Sequence, residues 1–190
     1  MNVLVLGPQG SGKGTQAKRI SASHAVPHVS TGDMFRTAIA DRTELGLQVE
    51  PILASGELVP DELTIAMIRD RLSRDDATSG FVLDGFPRTL VQAEALDEML
   101  HAIGRPLETV LFFDLDDGTA LTRMRRRASE EGRSDDTPEV IARRLAIYHE
   151  QTEPIVGLYR RAGTLVSLDA ARTADEVFSE IGAALSRVRA

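Results

Sequence analysis

An α/β fold, a parallel sheet with helices on both faces, is what this sequence predicts, and three observations predict it. Short apolar runs recur along the chain: NVLVL at 2–6, FVLD at 81–84 and TVLFFDL at 109–115. They are rich in β-branched and aromatic residues and show no polar alternation, the mark of strands buried on both faces. Longer stretches with helical spacing separate them, which is the βαβ pattern. A Gly-rich loop, GPQGSGKGT from Gly7 to Thr15, follows the first run at once and opens a helix.

The elements follow in order. Residues 13–24 form the helix after the loop, and PHVS at 27–30 is a short strand. Ser30 or Thr31 can cap a helix to about Asp41, through a side-chain oxygen that accepts from the first turn. Residues 44–55 and 61–74 read as helices, with Pro60 at the second start. A helix over 89–103 ends at Gly104. Residues 118–128 are helical, and the polar stretch ASEEGRSDDT follows. Pro138 opens a long helix to about Arg161, disturbed at Pro154 because proline has no N–H to give. TLVSL at 164–168 is the last strand and 173–188 the last helix.

Composition narrows the function. The chain has 190 residues, the size of one domain, with 42% hydrophobic and 27% charged residues as in an ordinary soluble protein. No run of about 18 apolar residues marks a membrane span. NVLVL is too short for a secretory h-region and has no basic flank, so a cytoplasmic protein is expected. The absence of Cys excludes disulfides and thiolate metal sites. A formal net charge of −7 argues against broad nucleic-acid binding. Yet Arg123, Arg125, Arg126, Arg127, Arg133, Arg143 and Arg144 crowd one region, which suits a small anionic ligand as well as a solvated helix face.

The loop has the G-x-x-x-x-G-K spacing that cradles phosphates. Gly7, Gly10, Gly12 and Gly14 let the backbone wrap an anion, its N–H groups and the following helix start supply positive potential, and Lys13 supplies a point charge. The residue after Lys13 is Gly14, where the usual signature has a metal-binding hydroxyl; the hydroxyl comes one place later, at Thr15. Asp84 ends its strand beside the loop and suits a hydrated Mg²⁺, which often needs one carboxylate and the substrate's phosphates. Alternatively, Asp84 is a helix cap or turn residue. In STGDMFR (30–36), Thr31 and Asp33 also fit helix capping, and Arg36 lies one turn on. GFPR (85–88) sets Arg88 next to Asp84, with Gln92 a helical turn further on the same face. Arg123 and Arg127 share a helix face, and Arg133 lies in a polar, Gly-containing stretch that reads as a flap over phosphates or as an exposed hairpin. Asp135 and Asp136 could pair with these arginines. His24, His28, His101 and His149 show no metal spacing and read as structural.

Together these segments make the chain similar to the adenylate kinases. The resemblance rests on GPQGSGKGT, STGDMFR, GELVP (56–60), LDGFPRTLVQAEAL (83–96) and GRSDDTPEVIARRLAIYHEQTEPIVGLY (132–159), in the family's order and over essentially the whole chain. It implies a P-loop NTPase-like core of five parallel strands (1–29, 60–125, 138–190), an AMP-binding insertion at 30–59 and a short lid at 126–137. It implies phosphoryl transfer from MgATP to AMP, giving two ADP, by a monomer that needs Mg²⁺ with ATP and no zinc. By this resemblance Gly10, Ser11, Gly12, Lys13, Gly14 and Thr15 hold ATP phosphates, and Arg123 and Arg127 contact ATP. Thr31, Arg36, the backbone of Glu57, Leu58 and Val59, the segment Gly85, Phe86, Pro87 and Arg88, and Gln92 hold AMP, with Gln92 reading the adenine edge. Arg88, Arg133 and Arg144 surround the transferred group, the last two also reaching AMP. Lys13, Arg88, Arg123, Arg133 and Arg144 are thus the catalytic set. Arg172 stands near a position where the family often has Gly, and would touch the ATP base through its backbone.

Pyrimidine monophosphate kinases are the nearest rivals, but they usually carry Asn after the GFPR arginine and Ala in place of Thr31; here the residues are Thr89 and Thr31. A GTP-dependent switch needs N-K-x-D, and Asn2 is the only Asn. A nucleic-acid ATPase would need basic surface beyond the Arg cluster.

Overall fold

The computed structural model describes residues 1–131 and 137–188. Successive side chains of a strand face opposite sides of its sheet, and β1 (Asn2–Leu6) uses both. Val3 and Val5 pack with Ala17 and Ile20 of α1 (Lys13–His24) and with Val177 and Ile181 of α9 (Ala174–Val188). Leu4 and Leu6 pack with Ile68 of α4 (Asp61–Leu72), Leu96 of α5 (Leu90–Ala102) and Ile155 of α8 (Glu153–Arg161). Apolar residues on both faces mean helices on both faces, as expected.

The sheet has five strands, all parallel, in the order β2 (His28–Ser30), β3 (Phe81–Asp84), β1, β4 (Thr109–Asp114), β5 (Leu165–Asp169). The chain first builds β2 and β3 on one side of β1, then crosses to lay down β4 and β5 on the other. A crevice therefore opens at the carboxyl ends of β1 and β3, where connections leave in opposite directions.

The remaining helices are α2 (Thr31–Ala40), α3 (Glu44–Ala54), α6 (Asp117–Glu131) and α7 (Pro138–Ile147). Ser30, not Thr31, caps α2 by accepting from the Asp33 N–H at 3.2 Å. α2, α3 and the segment after them carry a third apolar cluster of Phe35, Val49 and Val59, against which Leu63 and Met67 of α4 pack. α2 and α3 cross at Gly46, where a Cβ would lie 2.0 Å from the Ala38 carbonyl oxygen. The helix expected over 138–161 is interrupted. Pro154 offers no N–H to the turn before it, and there the chain widens into a π-helical segment, Tyr148–Thr152. The Glu153 N–H bonds the Tyr148 carbonyl, five residues back. α6 runs to Glu131, past the expected end at 128, and a short 3-10 turn at Asp75–Ala77 has no periodic signal in the sequence. Among the described residues no helix is long and apolar enough to cross a membrane.

Candidate active site

The Gly-rich loop leaves β1 into the crevice, and contact requires two of its glycines. Gly7 (φ 149°) and Gly10 (φ 83°) each lie where a Cβ would come within 2.7 Å of a carbonyl oxygen, of Phe113 and of Ala120 respectively. The loop is thus pressed onto the backbone of β4 and α6. Gly12 caps α1 with φ 82° and no side-chain bond, so the first N–H groups of that helix are left for a ligand. The buried Oγ of Ser11 and Oε1 of Gln9 have no hydrogen-bond partner. Thr15 is exposed at the helix start.

Lys13 folds back, its Nζ donating to the Pro8 carbonyl at 3.1 Å. Burial, aided by the nearby charges of Arg88 and Arg127 and opposed by Asp84, pushes its ammonium down to about 8.

Asp84 ends β3 and is buried. Burial works against its charge, but the hydrogen bond from His28 and the fields of Lys13 and Arg88 prevail and hold the carboxyl below its usual range. His28 Nε2 lies 3.3 Å from Asp84 Oδ2, because β2 pairs with β3 so that Ser30 stands opposite Asp84. A Cβ on Gly14 would lie 3.2 Å from that same Oδ2. This accounts for Gly14: a side chain after Lys13 would crowd the carboxylate that closes the crevice.

The segment after Asp84 turns at Gly85 (φ 78°), where a Cβ would sit 2.6 Å from Thr31 Oγ1. The Gly85 carbonyl accepts from the Thr31 hydroxyl and from Arg88 Nε, both at 2.8 Å. Phe86 is fully buried and precedes Pro87 through a cis peptide. The Arg88 carbonyl accepts from the Thr152 hydroxyl at 2.9 Å. Burial and the repulsion of Arg144 and Arg36 lower the Arg88 pKa, with Asp84 opposing. Cations gathered beside Asp84 give the crevice the character of a candidate anion site.

The other expected residues divide. Arg36 forms an ion pair with Asp33. Gln92 is 1% exposed; its Oε1 accepts from the Arg88 N–H at 2.8 Å and its Nε2 donates to Asp61 Oδ1 at 2.7 Å. Arg88 precedes α5, whose cap is Thr89, so the two residues meet by the Gln92 side chain reaching back and not as neighbours on one helix face. Glu57 accepts from Arg143 Nε at 2.7 Å, Val59 is buried and Leu58 half-buried. Arg144 donates to the Leu53 carbonyl at 3.3 Å. Arg123 donates to the carbonyls of Ala170 and Ala171, bracing the loop after β5. The Arg172 side chain turns to Glu176 and Glu180 on α9. Arg133, Asp135 and Asp136, and with them residues 132–136 of the expected lid, lie outside the described residues.

Two residues of this site, His28 and Asp61, are not expected from the sequence. His28 meets Asp84 only through sheet order, which the strand pattern does not carry. Asp61 looks like any acid at a helix start.

A family model described as adenylate kinase matches residues 5–164. The adenylate kinase of Kocuria rhizophila is 49% identical over 185 residues, 97% of this chain and 98% of that protein. Those of Thermobifida fusca and of Xanthomonas campestris pv. campestris are 48% and 43% identical, covering 93% and 98% of this chain and 94% and 100% of theirs.

Proposed function

The chain belongs to the adenylate kinase family and is an enzyme of reversible phosphoryl transfer from ATP to AMP giving two ADP, and we propose how its residues divide that work. The observation that carries the assignment of roles is the convergence of Lys13, Asp84 and Arg88 on one crevice, with Arg36, Arg127 and Arg144 acting on it electrostatically. The loop from Gly10 to Thr15 takes the ATP phosphates on its N–H groups, with Ser11 Oγ a free partner at hand. Thr31, Arg36, residues 57–59, Gly85 to Arg88 and Gln92 take AMP.

The nucleophile is a phosphate oxygen of AMP, ionised at neutral pH, so no general base is required. The protein's part is to bring two polyanions into line and to neutralise their charge. Lys13 and Arg88 flank the transferred group, with Arg144 and Arg133 completing its cover. A Mg²⁺ carried in on the nucleotide would be held by Asp84 through water; a buried, charged carboxylate beside the loop fits that use, and the ion would supply further charge neutralisation. Arg123 and Arg127 lie on the ATP side, and the backbone at Arg172 would meet its base. Residues 30–59 act as a movable AMP-binding insertion and 126–137 as a lid that excludes water. The family resemblance and the net charge of −7 support a cytoplasmic monomer that binds neither nucleic acid nor membrane.

The test is ADP formation from MgATP with AMP, dAMP, CMP, UMP and GMP. Fast turnover with AMP and slow turnover with CMP and UMP is expected. A preference for CMP or UMP would keep the mechanism and overturn the base reading by Thr31 and Gln92. ATP loss indifferent to the monophosphate would overturn the transfer reading itself.

A further inference from the structure

Asp61 is the first residue of α4, directly after the segment 57–59 and Pro60. Its Oδ1 accepts from two donors at once, the Thr89 hydroxyl at 3.0 Å and Gln92 Nε2 at 2.7 Å. On its other side the Gln92 amide accepts from the Arg88 N–H. These two neighbours leave the amide one orientation. A carboxylate offers only acceptors and a backbone N–H only a donor. Turned over, Gln92 would set its carbonyl oxygen against Asp61 and its NH₂ against the Arg88 N–H, two repulsive contacts in a buried place.

We propose that Asp61 is a positioning residue for base specificity: it locks the Gln92 amide in the orientation that matches adenine. An amide has two N–H groups and two lone pairs, and the contacts above use one of each. The remaining N–H and lone pair complement the N1 acceptor and N6 donor of adenine. The reversed amide would complement the O6 acceptor and N1 donor of hypoxanthine. Without the carboxylate only the Arg88 N–H would hold the amide, and the turned orientation that serves the other base becomes accessible; the carboxylate closes it off. Thr89, which caps α5 and donates to the same oxygen, ties the start of that helix to the lock.

The proposal rests on Gln92 reading the base, and the experiment separates the two. The readout is kcat/KM for AMP divided by kcat/KM for inosine monophosphate, in wild type, Asp61→Ala, Gln92→Ala and the double variant. Asp61→Ser is the companion to Asp61→Ala: its hydroxyl suits a helix start, so the fold is kept, but falls short of Gln92. Asp61→Ala and Asp61→Ser are expected to lower the ratio by about tenfold or more, the scale of removing one buried hydrogen bond, with KM for ATP unchanged. Gln92→Ala lowers the ratio too, and adding Asp61→Ala to it lowers it no further, because the carboxylate acts through the amide. An unchanged ratio in both Asp61 variants, or additive decreases in the double variant, overturns the role of Asp61 and leaves the base reading standing. An unchanged ratio in Gln92→Ala overturns both.

Discussion

The Gly7–Thr15 loop and the α2–α3 segment both border the crevice, but different forces hold them. The loop has no side-chain core of its own. It is fixed by backbone contact, with Gly7 and Gly10 set against carbonyl oxygens of β4 and α6. The α2–α3 segment is held by side chains, its cluster of Phe35, Val49 and Val59 packing against Leu63 and Met67 of α4. Its far end meets α7 through polar contacts: Glu57 with Arg143, and the Leu53 carbonyl with Arg144. Gly56 also lies against α7, where a Cβ would come 3.1 Å from Val140 Cγ1. A part set against the backbone of the main core keeps a constant geometry. A part held through a small apolar cluster along one helix can shift at smaller cost than one fixed backbone to backbone.

The largest test of this contrast is Gly10→Ala. The new methyl would meet the Ala120 carbonyl at 2.7 Å, and φ 83° is itself unfavourable for a residue with a Cβ. A loss of global stability of about 1–3 kcal/mol is expected, with kcat/KM for ATP down about a hundredfold, because small displacements of a positioning loop have effects of that order. Both are read by thermal unfolding and steady-state kinetics. A variant with normal stability and normal ATP kinetics would show that the loop is not built into the core as described.

Gly46→Ala is the matching change on the other side. Its Cβ would lie 2.0 Å from the Ala38 carbonyl oxygen, inside the third cluster. Overpacking of about 1–3 kcal/mol should fall on that segment alone. Hydrogen exchange should rise in α2 and α3 and stay unchanged in the sheet. KM for AMP should rise by about tenfold, the effect of roughly 1.4 kcal/mol, while KM for ATP stays within error. Exchange that speeds up throughout the protein would mean that the segment shares the main core after all.

Glu57→Gln sharpens the comparison by weakening the contact with α7. Exposed ion pairs contribute about 0.2–1 kcal/mol, so the balance between docked and undocked segment should move by up to about fivefold. KM for AMP should follow it upward. The difference from wild type should vanish at about 1 M salt, where charges a few ångströms apart are screened. An effect that persists at high salt would assign the role of Glu57 to shape and not to charge.

The same contrast explains what the sequence made legible. Strands buried on both faces leave continuous apolar runs, and each of the five lies within about a residue of its expected place. The loop was legible for a related reason: steric demands at Gly7 and Gly10 are met by one residue type and leave a fixed spacing. Asp84 and Arg88 could be placed because they follow a strand whose end had to face the crevice. Relations between distant segments were not legible. His28 reaches Asp84 through the β2–β3 register, and Asp61 reaches Gln92 through the packing of α4 beside α5; neither contact leaves a mark in local spacing. The π-helical widening before Pro154 shows an intermediate case, since the proline announces a disturbance but not that the preceding turn absorbs it.

The smallest effect expected concerns that widened turn. His149 lies in it and bridges two elements, with Nε2 3.0 Å from Asp117 at the start of α6 and Nδ1 2.8 Å from Glu153 at the start of α8. The Tyr148 ring stands edge-on beside it. The hydrogen bond to Glu153 outweighs partial burial and, with the contact to Asp117, raises the imidazole pKa above its usual value. A raised folded-state pKa stabilises the protein fully below the unfolded value of about 6.5 and ceases to do so as pH rises through the folded value. The side chain is 42% exposed, so solvent screening keeps the contribution in the range of surface pairs, about 1 kcal/mol or less. His149→Asn should therefore melt about 2 °C below wild type near pH 6 and together with it near pH 9. Equal melting differences at both pH values would show that His149 braces the turn by shape alone, and that the bridge between α6 and α8 carries no charge.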